Sequence, residues 1–547
     1  MRLPFLFLFL FLVVSRPDPV LAQSTASKPS LVVGIVVDQM RWDYLYRFSH
    51  LYGPDGFNRL LNEGFSCENT LIHHLPTTTA AGHASIYTGA YPAMHGIVGN
   101  GWYDNQRGTT VYCTDDSSVV GAGSTNPDGK MSPRNLQVTT IGDELRLSNQ
   151  FQSKVIGISI KDRGAILPAG HSANAAYWYD ENIGKWISSS YYMKTLPDWV
   201  NRFNEQAGPA TWKDSVWNTL LPLSAYTLST TDDKPYEGSL PGMTGRTFPY
   251  AWKSSSRKWD AFRYTPHANE YTLNFSKQAI LEEKMGKGTY TDFLAVSISS
   301  PDMIGHVFGP NAIEIQDTYL RLDREMAAFL RFLDEQIGKG NYLLFLSADH
   351  GVANTPGYLQ EHALPGGATP GKTLLTTLND SIKRNYNLGD FFVRYDNYQL
   401  YIHPRYLKDT RQWSPALKQD IIRWILSFSA IQHACFIQDV GTTAISPRIR
   451  ESIEIAYHPK RSGQVQVIPL PGFQDVGKTG TGHGVWNPYD AHIPLVWFGH
   501  GIRSGKQYRE VRMQDIAPTL AALLQIQMPS GCMGEVITEL FESKTAH

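Results

Sequence analysis

Neither sign of charge predominates in this sequence. Its 547 residues include 49 Lys and Arg and 50 Asp and Glu, a formal net charge of −1, and the two signs are interspersed. A protein that binds nucleic acid carries a basic patch or stripe, which this sequence lacks, so we predict no nucleic-acid partner. Aromatic residues form 12% of the chain, which excludes a disordered protein, and the length allows a large core.

Beyond its N-terminus the sequence lacks any apolar run of the roughly 20 residues needed to span a bilayer. The N-terminus reads MRLPFLFLFLFLVV, an arginine followed by an apolar run of signal-peptide length, and Val20-Leu21-Ala22 offers a cleavage site before Gln23. We predict a signal peptide over residues 1–22, a periplasmic or secreted mature protein, and no stable membrane insertion after its removal. An uncleaved N-terminal anchor is the alternative.

Cysteine is scarce, and its spacing excludes CxxC and similar metal-binding motifs. The four cysteines are Cys67, Cys113, Cys435 and Cys532. An even number in an exported chain favours two disulfides. Nearness along the chain favours Cys67–Cys113 and Cys435–Cys532, although three pairings are open.

Five short runs of apolar residues have the character of strands buried on both faces of a parallel sheet. They cover residues 31–37, 154–160, 293–298, 342–347 and 493–498. Helices are predicted over 55–62, 312–337 and 513–524, the last with Pro518 in its first turn. This alternation predicts an α/β fold with a mostly parallel central sheet sandwiched by helices.

We predict one domain over residues 23–547 with two insertions. Residues 165–289 are rich in Trp, Tyr, Ser and Pro and lack runs typical of buried strands, which indicates a cap over the edge of the sheet. A smaller irregular insertion covers residues 352–481, with candidate strands at 398–402 and 464–468 and a helix near 418–426.

Polar residues follow several predicted strands. Asp38, Lys161 and Asp349 lie at or just beyond strand ends, and Asp302 follows a fourth strand closely. Because ligands of parallel α/β sheets bind at the carboxyl ends of the strands, the sequence predicts a functional site there.

Three segments carry residue types that bind metal ions. PDMIGHVFGP places Asp302 and His306 at i and i+4, on one side of a helical turn. SADHGV places Asp349 and His350 side by side at a strand end, and TGTGHG holds His483 in a glycine-rich loop. With the aspartate that follows the first strand, they form a mixed oxygen and nitrogen donor set that suits zinc.

Residues 73–100, HHLPTTTAAGHASIYTGAYPAMHGIVGN, lead through three threonines into a run of small, helix-forming residues. Thr77, Thr78 and Thr79 therefore lie where a helix would begin, and a hydroxyl there commonly caps free backbone N–H groups. A helix N-terminus also attracts anions, so the alternative is a hydroxyl that attacks a phosphate-like group.

Together these features resemble the two-zinc signature of the alkaline phosphatase superfamily, in the same order and over nearly the whole mature chain. Thr79 in TTTAAGHASIYTG matches the nucleophile of that superfamily. Asn100 and the triplet Lys161-Asp162-Arg163 resemble, more narrowly, the PafA-type monomeric alkaline phosphatases. The resemblance implies an exported monomeric enzyme that hydrolyses small-molecule phosphate monoesters in two steps, through a phosphorylated Thr79.

The resemblance also implies a role for each candidate residue. One of two Zn²⁺ would be held by Asp302, His306 and His483. The other would be held by Asp38, Thr79, Asp349 and His350. The phosphoryl group would be bound by Asn100, Lys161 and Arg163.

The charge of such a site favours a monoester. Two Zn²⁺ and three aspartates sum to about +1, and Lys161 and Arg163 add two positive charges. If the triplet continues its strand, both cations face the same side. Such a pocket binds the dianion of a monoester better than the monoanion of a diester.

Two alternatives stay open. A phosphodiesterase or nucleotide pyrophosphatase of the same superfamily would share the threonine and the ligand set. A non-catalytic exported binding protein would keep the fold without the activity. A sulfatase is disfavoured, because sulfatases need Cys or Ser in a C/S-x-P-x-R segment, where this chain has TAAGH.

Overall fold

The computed structural model describes residues 28–213, 216–408 and 413–541. The expected signal peptide, residues 1–22, lies outside these ranges and stays a prediction. Within them, no helix combines the length and the apolar character needed to cross a membrane.

Strands of two to seven residues form one large sheet and several small ones in the described part of the chain. They are β1 (Leu31–Val37), β2 (Phe65–Cys67), β3 (Thr70–Leu71), β4 (Gly101–Asp104), β5 (Thr109–Tyr112), β6 (Gly121–Ala122), β7 (Val155–Ser159), β8 (Ala175–Asp180), β9 (Lys185–Ser189), β10 (Asp292–Ile298), β11 (Tyr342–Ser347), β12 (Gly367–Ala368), β13 (Phe392–Asp396), β14 (Gln399–Ile402), β15 (Ile431–Phe436), β16 (Val465–Pro469), β17 (Phe473–Gln474), β18 (His492–Ile493), β19 (Leu495–Gly499), β20 (Gly505–Gln507) and β21 (Val511–Arg512).

Helices from single turns to 21 residues connect these strands. They are α1 (Tyr44–Arg47), α2 (Phe57–Glu63), α3 (Thr79–Thr88), α4 (Pro92–His95), α5 (Ile141–Ser148), α6 (Asp162–Ala169), α7 (Asp198–Gln206), α8 (Lys258–Arg263), α9 (His267–Glu282), α10 (Ser300–Phe308), α11 (Ile313–Leu333), α12 (Pro356–Glu361), α13 (Lys372–Tyr386), α14 (Pro404–Lys408), α15 (Pro415–Leu426), α16 (Pro447–Glu454), α17 (Pro488–Ala491) and α18 (Ile516–Leu524).

The large sheet has ten strands in the order β20-β2-β19-β11-β1-β10-β7-β8-β9-β6. Five neighbours at its centre, β11 to β8 in this order, run parallel. β19 and β9 flank this block with antiparallel pairings. β1, β10 and β11 are buried along their whole length, as strands of a sheet covered on both faces are. The expected α/β fold with a mostly parallel central sheet is confirmed.

The predicted elements of this frame correspond closely to those of the structure. The five predicted strands are β7, β10, β11, β19 and the first strand, β1. The three predicted helices are α2, α11 and α18, and Pro518 is the third residue of α18. Continuous apolar runs therefore identified four of the five strands of the parallel block, together with the flanking strand β19.

Residues 165–289 do contain strands, contrary to expectation. β8 and β9 lie in this segment and extend the central sheet beside β7. Their sequences, AAYWYD and KWISS, fill the core with aromatic rather than aliphatic side chains. Trp186, for example, is fully buried and stacks on Phe275 of α9 with ring centroids 4.4 Å apart. This part of the segment therefore belongs to the main core.

A second, smaller sheet lies within the region 352–481. Its strands have the order β13-β14-β16-β15 and are antiparallel, and they share a hydrophobic cluster with α13 and α15. The candidate strands at 398–402 and 464–468 correspond to β14 and β16, and the helix near 418–426 is α15. The turn between β13 and β14 contains Asn397 and Tyr398, both with positive φ (52° and 57°), as in a type I′ hairpin turn.

The four cysteines are free thiols, so the expected pairs Cys67–Cys113 and Cys435–Cys532 are not formed. Cys67, Cys113 and Cys435 lie in three different hydrophobic clusters, where each packs as a small apolar side chain. Burial raises the pKa of the Cys67 and Cys113 thiols to about 12, so both stay protonated. Nearness along the chain was misleading because the fold sends neighbouring cysteines to separate clusters.

Candidate active site

The carboxyl ends of β11, β1, β10 and β7 bring candidate residues together. Asp38 directly follows β1, and Asp349 lies two residues beyond β11. Lys161 lies two residues beyond β7, and Asp302 lies in the first turn of α10, after β10. All four side chains are buried. The expectation of polar residues meeting at one edge of the sheet is therefore met by the fold.

Thr79 is the first residue of α3, a helix that is buried along its whole length. Its Oγ1 lies 3.5 Å from Nε2 of His350. Gly82 permits this proximity, because a Cβ at Gly82 would lie 2.3 Å from the backbone oxygen of Asp349. The N-terminus of α3 consequently packs directly against the loop that carries Asp349 and His350.

The two preceding threonines differ from Thr79 in their surroundings. Thr78 occupies the N-cap position of α3 but makes no capping bond with its side chain. The Thr77 hydroxyl donates to the carbonyl of Val485 (3.1 Å) and accepts from the N–H of Gly484 (3.0 Å). Thr77 therefore ties the start of α3 to the loop that follows His483.

The three candidate histidines share one arrangement. Each has Nδ1 within hydrogen-bond distance of a backbone carbonyl and turns Nε2 towards the site. The pairs are His306 with Thr481 (2.8 Å), His350 with Gly351 (2.9 Å) and His483 with Thr77 (2.6 Å). Because a carbonyl can only accept, Nδ1 carries the proton and the Nε2 lone pair is free for a metal ion.

Burial keeps two of these imidazoles neutral. It lowers the pKa of His350, and burial together with the neighbouring His350 and His306 lowers the pKa of His483 well below its usual value. A neutral imidazole is the form that binds a metal ion, so for His350 and His483 the electrostatics agree with the orientation of the rings. Burial lowers the pKa of His306, but the charge of Asp302 outweighs it and the net change is upward.

The ligand atoms of these residues form two groups whose members lie within 4.8 Å of one another. One group is Asp302, His306 and His483, which is the first expected zinc set. The other is Asp38, Asp302 and His350. Asp349, expected in the second set, lies nearby, with its Oδ2 atom 3.7 Å from Nε2 of His350 and 3.2 Å from Nδ1 of His83.

Two buried carboxylate oxygens test whether metal ions fit here. Oδ1 of Asp38 and Oδ2 of Asp349 have no hydrogen-bond partner among the residues that the structure describes. Nδ1 of His83, which lies 3.2 Å from Oδ2 of Asp349, is instead hydrogen-bonded to the carbonyl of Thr79 at 2.8 Å. A buried carboxylate oxygen without a partner is costly, and a divalent cation would satisfy it. Together with the inward Nε2 atoms, this donor set fits zinc.

Lys161 bridges the two groups of ligands. Its Nζ lies 2.6 Å from Oδ2 of Asp38 and 2.5 Å from Oδ2 of Asp302. Burial lowers the pKa of Lys161, but the charges of Asp302 and Asp38 outweigh it, and the net change is upward. Burial, with the charges of Asp302 and Asp349, raises the pKa of Asp38. Lys161 therefore stays positively charged inside the site.

The triplet at 161–163 does not continue the strand, so the condition under which strand geometry would turn both cations to the same side is not met. β7 ends at Ser159, Lys161 is the N-cap of α6, and Arg163 lies in its first turn. At this change of direction, the hydroxyl of Ser159 accepts the backbone N–H of Lys161 at 3.1 Å. Both cations nonetheless line one cavity of about 310 Å³.

Asn100 lies beside the start of α3. Its side-chain Oδ1 accepts the backbone N–H of Ala80 at 2.9 Å. The turn of the β13–β14 hairpin supports this loop, because Nδ2 of Asn397 donates to the carbonyl of Gly101 at 3.0 Å. Tyr398, on the same turn, packs against Gly484, the residue that follows His483. A Cβ added at Gly484 would lie only 3.0 Å from the Tyr398 ring.

Gln39 is a site residue that the sequence reasoning missed. It has a positive φ of 66°, its N–H donates to Oδ1 of Asp349 (3.1 Å), and its Nε2 donates to Oδ1 of Asp302 (2.7 Å). Gln39 thus orients one carboxylate of each expected zinc set. The one feature of the sequence that could have indicated this role is that Gln39 directly follows Asp38 at the end of a buried strand.

Comparison with known proteins assigns the chain to a family. A family model for type I phosphodiesterases and nucleotide pyrophosphatases matches residues 32–490. The chain is 48% identical over 529 residues to alkaline phosphatase PhoV of Synechococcus elongatus, with 96% of each chain covered. It is 44% identical over 533 residues to alkaline phosphatase PafA of Elizabethkingia meningoseptica, with 97% of each chain covered.

The fold agrees with these relationships. A crystal structure of wild-type alkaline phosphatase PafA superposes with a TM-score of 0.91 at 43% identity, covering 94% of this chain and 100% of that one. The expected membership of the alkaline phosphatase superfamily is confirmed. The chain belongs to the type I phosphodiesterase and nucleotide pyrophosphatase family of that superfamily, in which it is similar to PhoV and PafA over nearly its whole length.

Proposed function

We propose that the protein is a zinc-dependent phosphatase that hydrolyses phosphate monoesters through a phosphorylated Thr79. The observation that carries the proposal is the place of the Thr79 hydroxyl, at the start of a buried helix and 3.5 Å from Nε2 of His350 within a converging set of metal-binding groups. The relatives PhoV and PafA are both named alkaline phosphatases, which supports the proposal.

The metal ions of this proposal are two Zn²⁺. One would be held by Asp302, His306 and His483. The other would be held by Asp38, Asp349, His350 and the Thr79 oxygen. When bound, the pair would supply Lewis-acid charge beside the attacking and leaving oxygens of an in-line displacement.

The chain itself would bind and orient the phosphoryl group. Oγ1 of Thr79 would lose its proton and form a bond to phosphorus as the bond from phosphorus to the leaving oxygen breaks, and the leaving oxygen would take up a proton to give the alcohol. Water would then displace Oγ1 from phosphorus, which releases phosphate, and one proton of that water would restore the Thr79 hydroxyl. The N-terminus of α3 favours the negative charge, and Asn100, Lys161 and Arg163 would donate hydrogen bonds to the phosphoryl oxygens. Two successive in-line displacements predict net retention of configuration at phosphorus.

A phosphodiesterase is the second candidate, because the matching family model is that of phosphodiesterases and nucleotide pyrophosphatases. Lys161 and Arg163 favour the monoester, since a dianion gives two cations more charge to bind than a monoanion does. The proposed substrates are therefore small phosphate monoesters.

Matched substrates separate the two candidates. We would compare kcat/KM for p-nitrophenyl phosphate and methyl p-nitrophenyl phosphate in the wild type and in the double variant Lys161→Ala, Arg163→Ala, with metal content measured on each sample. We expect the double variant to lose about 10²–10³-fold on the monoester and far less on the diester. Equal losses on both substrates, at equal metal content, would contradict the monoesterase.

We also propose that the protein is exported and monomeric. The N-terminal sequence supports secretion or a periplasmic location after cleavage before Gln23. We propose a monomer, by analogy with the PafA-type enzymes that the site residues resemble.

A further inference from the structure

One hairpin reaches two of the residues proposed to bind phosphate. β4 and β5 pair antiparallel, with Gly101 opposite Tyr112 at the open end. The N–H of Cys113 donates to the carbonyl of Asn100 at 3.0 Å. Asn100 and Tyr112 therefore lie side by side, although they are separated by the whole hairpin in sequence.

The Tyr112 hydroxyl connects this hairpin to Arg163. It accepts a hydrogen bond from Nη1 of Arg163 at 3.0 Å and donates one to Oδ1 of Asp162 at 2.8 Å. The hydroxyl of Thr114 donates to the other oxygen of Asp162 at 2.5 Å. Asp162 is consequently held from both sides, and Tyr112 lies between it and the guanidinium.

The contact of Arg163 with Asp162 is looser than its contact with Tyr112. Nη1 of Arg163 lies 3.8 Å from Oδ1 of Asp162, beyond hydrogen-bond distance. A guanidinium has five N–H donors in a rigid plane, so one bond to a neutral hydroxyl restrains its orientation and leaves the other donors available. A bidentate pair with a carboxylate would instead occupy the edge that could bind a phosphoryl group.

We propose that Tyr112 is a positioning residue that sets the orientation of Arg163 and thereby contributes to the preference for monoesters over diesters. This inference rests on the proposed function. The alternative is that Tyr112 only packs the hairpin, in which case its hydroxyl would matter equally for every substrate.

The test uses Tyr112→Phe in the full-length metal-loaded protein, with Tyr103→Phe as the matched control. Tyr103 lies on the neighbouring strand β4, where its ring packs 6.0 Å from that of Tyr401. We expect Tyr112→Phe to lower kcat/KM about tenfold for p-nitrophenyl phosphate and less than about twofold for methyl p-nitrophenyl phosphate. Tyr103→Phe should change neither value by more than about twofold.

A double-mutant cycle with Arg163→Ala shows whether the tyrosine acts through the arginine. Adding Tyr112→Phe to Arg163→Ala should cause no further loss on the monoester. An additive loss, an equal loss on both substrates, or no loss at all would each overturn the inference. If Tyr112→Phe does not fold, Thr114→Val, which loosens Asp162 without touching Arg163, should give a smaller loss with the same preference for the monoester, and equal losses there would overturn it.

Inorganic phosphate provides a measurement that does not depend on turnover. Phosphate should raise the melting temperature of the wild type more than that of Tyr112→Phe, and an equal shift would count against the inference. A wild type that fails to hydrolyse the monoester would contradict the proposed function. An active wild type with an unchanged Tyr112→Phe variant would contradict only the role of Tyr112.

Discussion

The side-chain oxygen of Asn100 accepts the backbone N–H of Ala80 at 2.9 Å, one residue after Thr79. Because a backbone N–H can only donate, this bond fixes the oxygen of the amide towards α3 and turns its NH₂ group away. It also satisfies one of the free N–H groups at the start of α3, where the N-cap residue Thr78 makes no side-chain bond. One side chain thus caps the helix from a distant loop and leaves two donors for a substrate.

Thr79→Ala should abolish turnover while retaining zinc. The substitution removes the proposed nucleophile but leaves the carboxylates and imidazoles in place, so kcat/KM for p-nitrophenyl phosphate should fall by about 10³-fold or more. Thr78→Ala is the matched control, because Oγ1 of Thr78 has no partner among the described residues and its loss should cost less than about tenfold. Wild-type turnover by Thr79→Ala, with metal content verified, would exclude this mechanism.

Removal of metal should inactivate and destabilise the protein. The buried oxygens of Asp38 and Asp349 that have no partner in the described structure would lose their cation. Because ligands that bind only the folded state stabilise it, the melting temperature should fall by several degrees with a chelator and recover with zinc. Activity, melting temperature and metal content should change together; full activity in a metal-free sample would refute the proposed zinc dependence.

Asp490 should behave as a neutral carboxyl that holds the His483 loop. Its Oδ2 accepts the N–H groups of Gly484 (2.9 Å) and Val485 (3.0 Å), and burial raises its pKa to about 8. Asp490→Asn keeps an acceptor and should be tolerated near pH 7. Asp490→Ala leaves the N–H of Val485 unpaired and the N–H of Gly484 with only the Thr77 hydroxyl as acceptor, and should cost about 1–3 kcal/mol. Chemical denaturation of the three proteins measures this difference.

The pH dependence of Asp490 has a definite sign. Between about pH 4 and pH 8 the folded protein keeps a proton that the unfolded chain has released. The free energy of unfolding of the wild type should therefore fall relative to that of Asp490→Asn as pH rises through this window, by at most about 1.4 kcal/mol per pH unit. If the free energy of unfolding of the wild type instead stayed constant or rose relative to that of Asp490→Asn as pH increases, Asp490 would be ionised in the folded protein.

The buried frame was readable from the sequence for a physical reason. Strands covered on both faces must be apolar at every position, so β1, β7, β10 and β11 are visible as continuous runs, and the polar residues after them mark one edge of the sheet. β8 and β9 were not visible because aromatic residues fill their part of the core. A run of aliphatic residues is therefore a sufficient but not a necessary sign of a central strand.

What the sequence could not show depends on contacts between distant segments. Lys161 is the N-cap of α6 rather than a strand residue, and the hydroxyl of Ser159 accepts its backbone N–H where the chain leaves β7. The two bonds of Gln39 likewise exist only once two different strand ends meet. The cysteine pairing failed for the same reason, because cluster membership follows the fold rather than chain distance.

The β13–β14 hairpin turn touches the loops of both Asn100 and His483, and this limits how the protein could be shortened. The four-stranded sheet that contains this hairpin has its own hydrophobic cluster, so it could be mistaken for a module that can be removed. Yet Asn397 supports the carbonyl of Gly101 and Tyr398 packs against Gly484. A minimal version without this sheet would need a substitute surface for both loops before it could hold the proposed phosphate ligand Asn100 and the proposed metal ligand His483 in place.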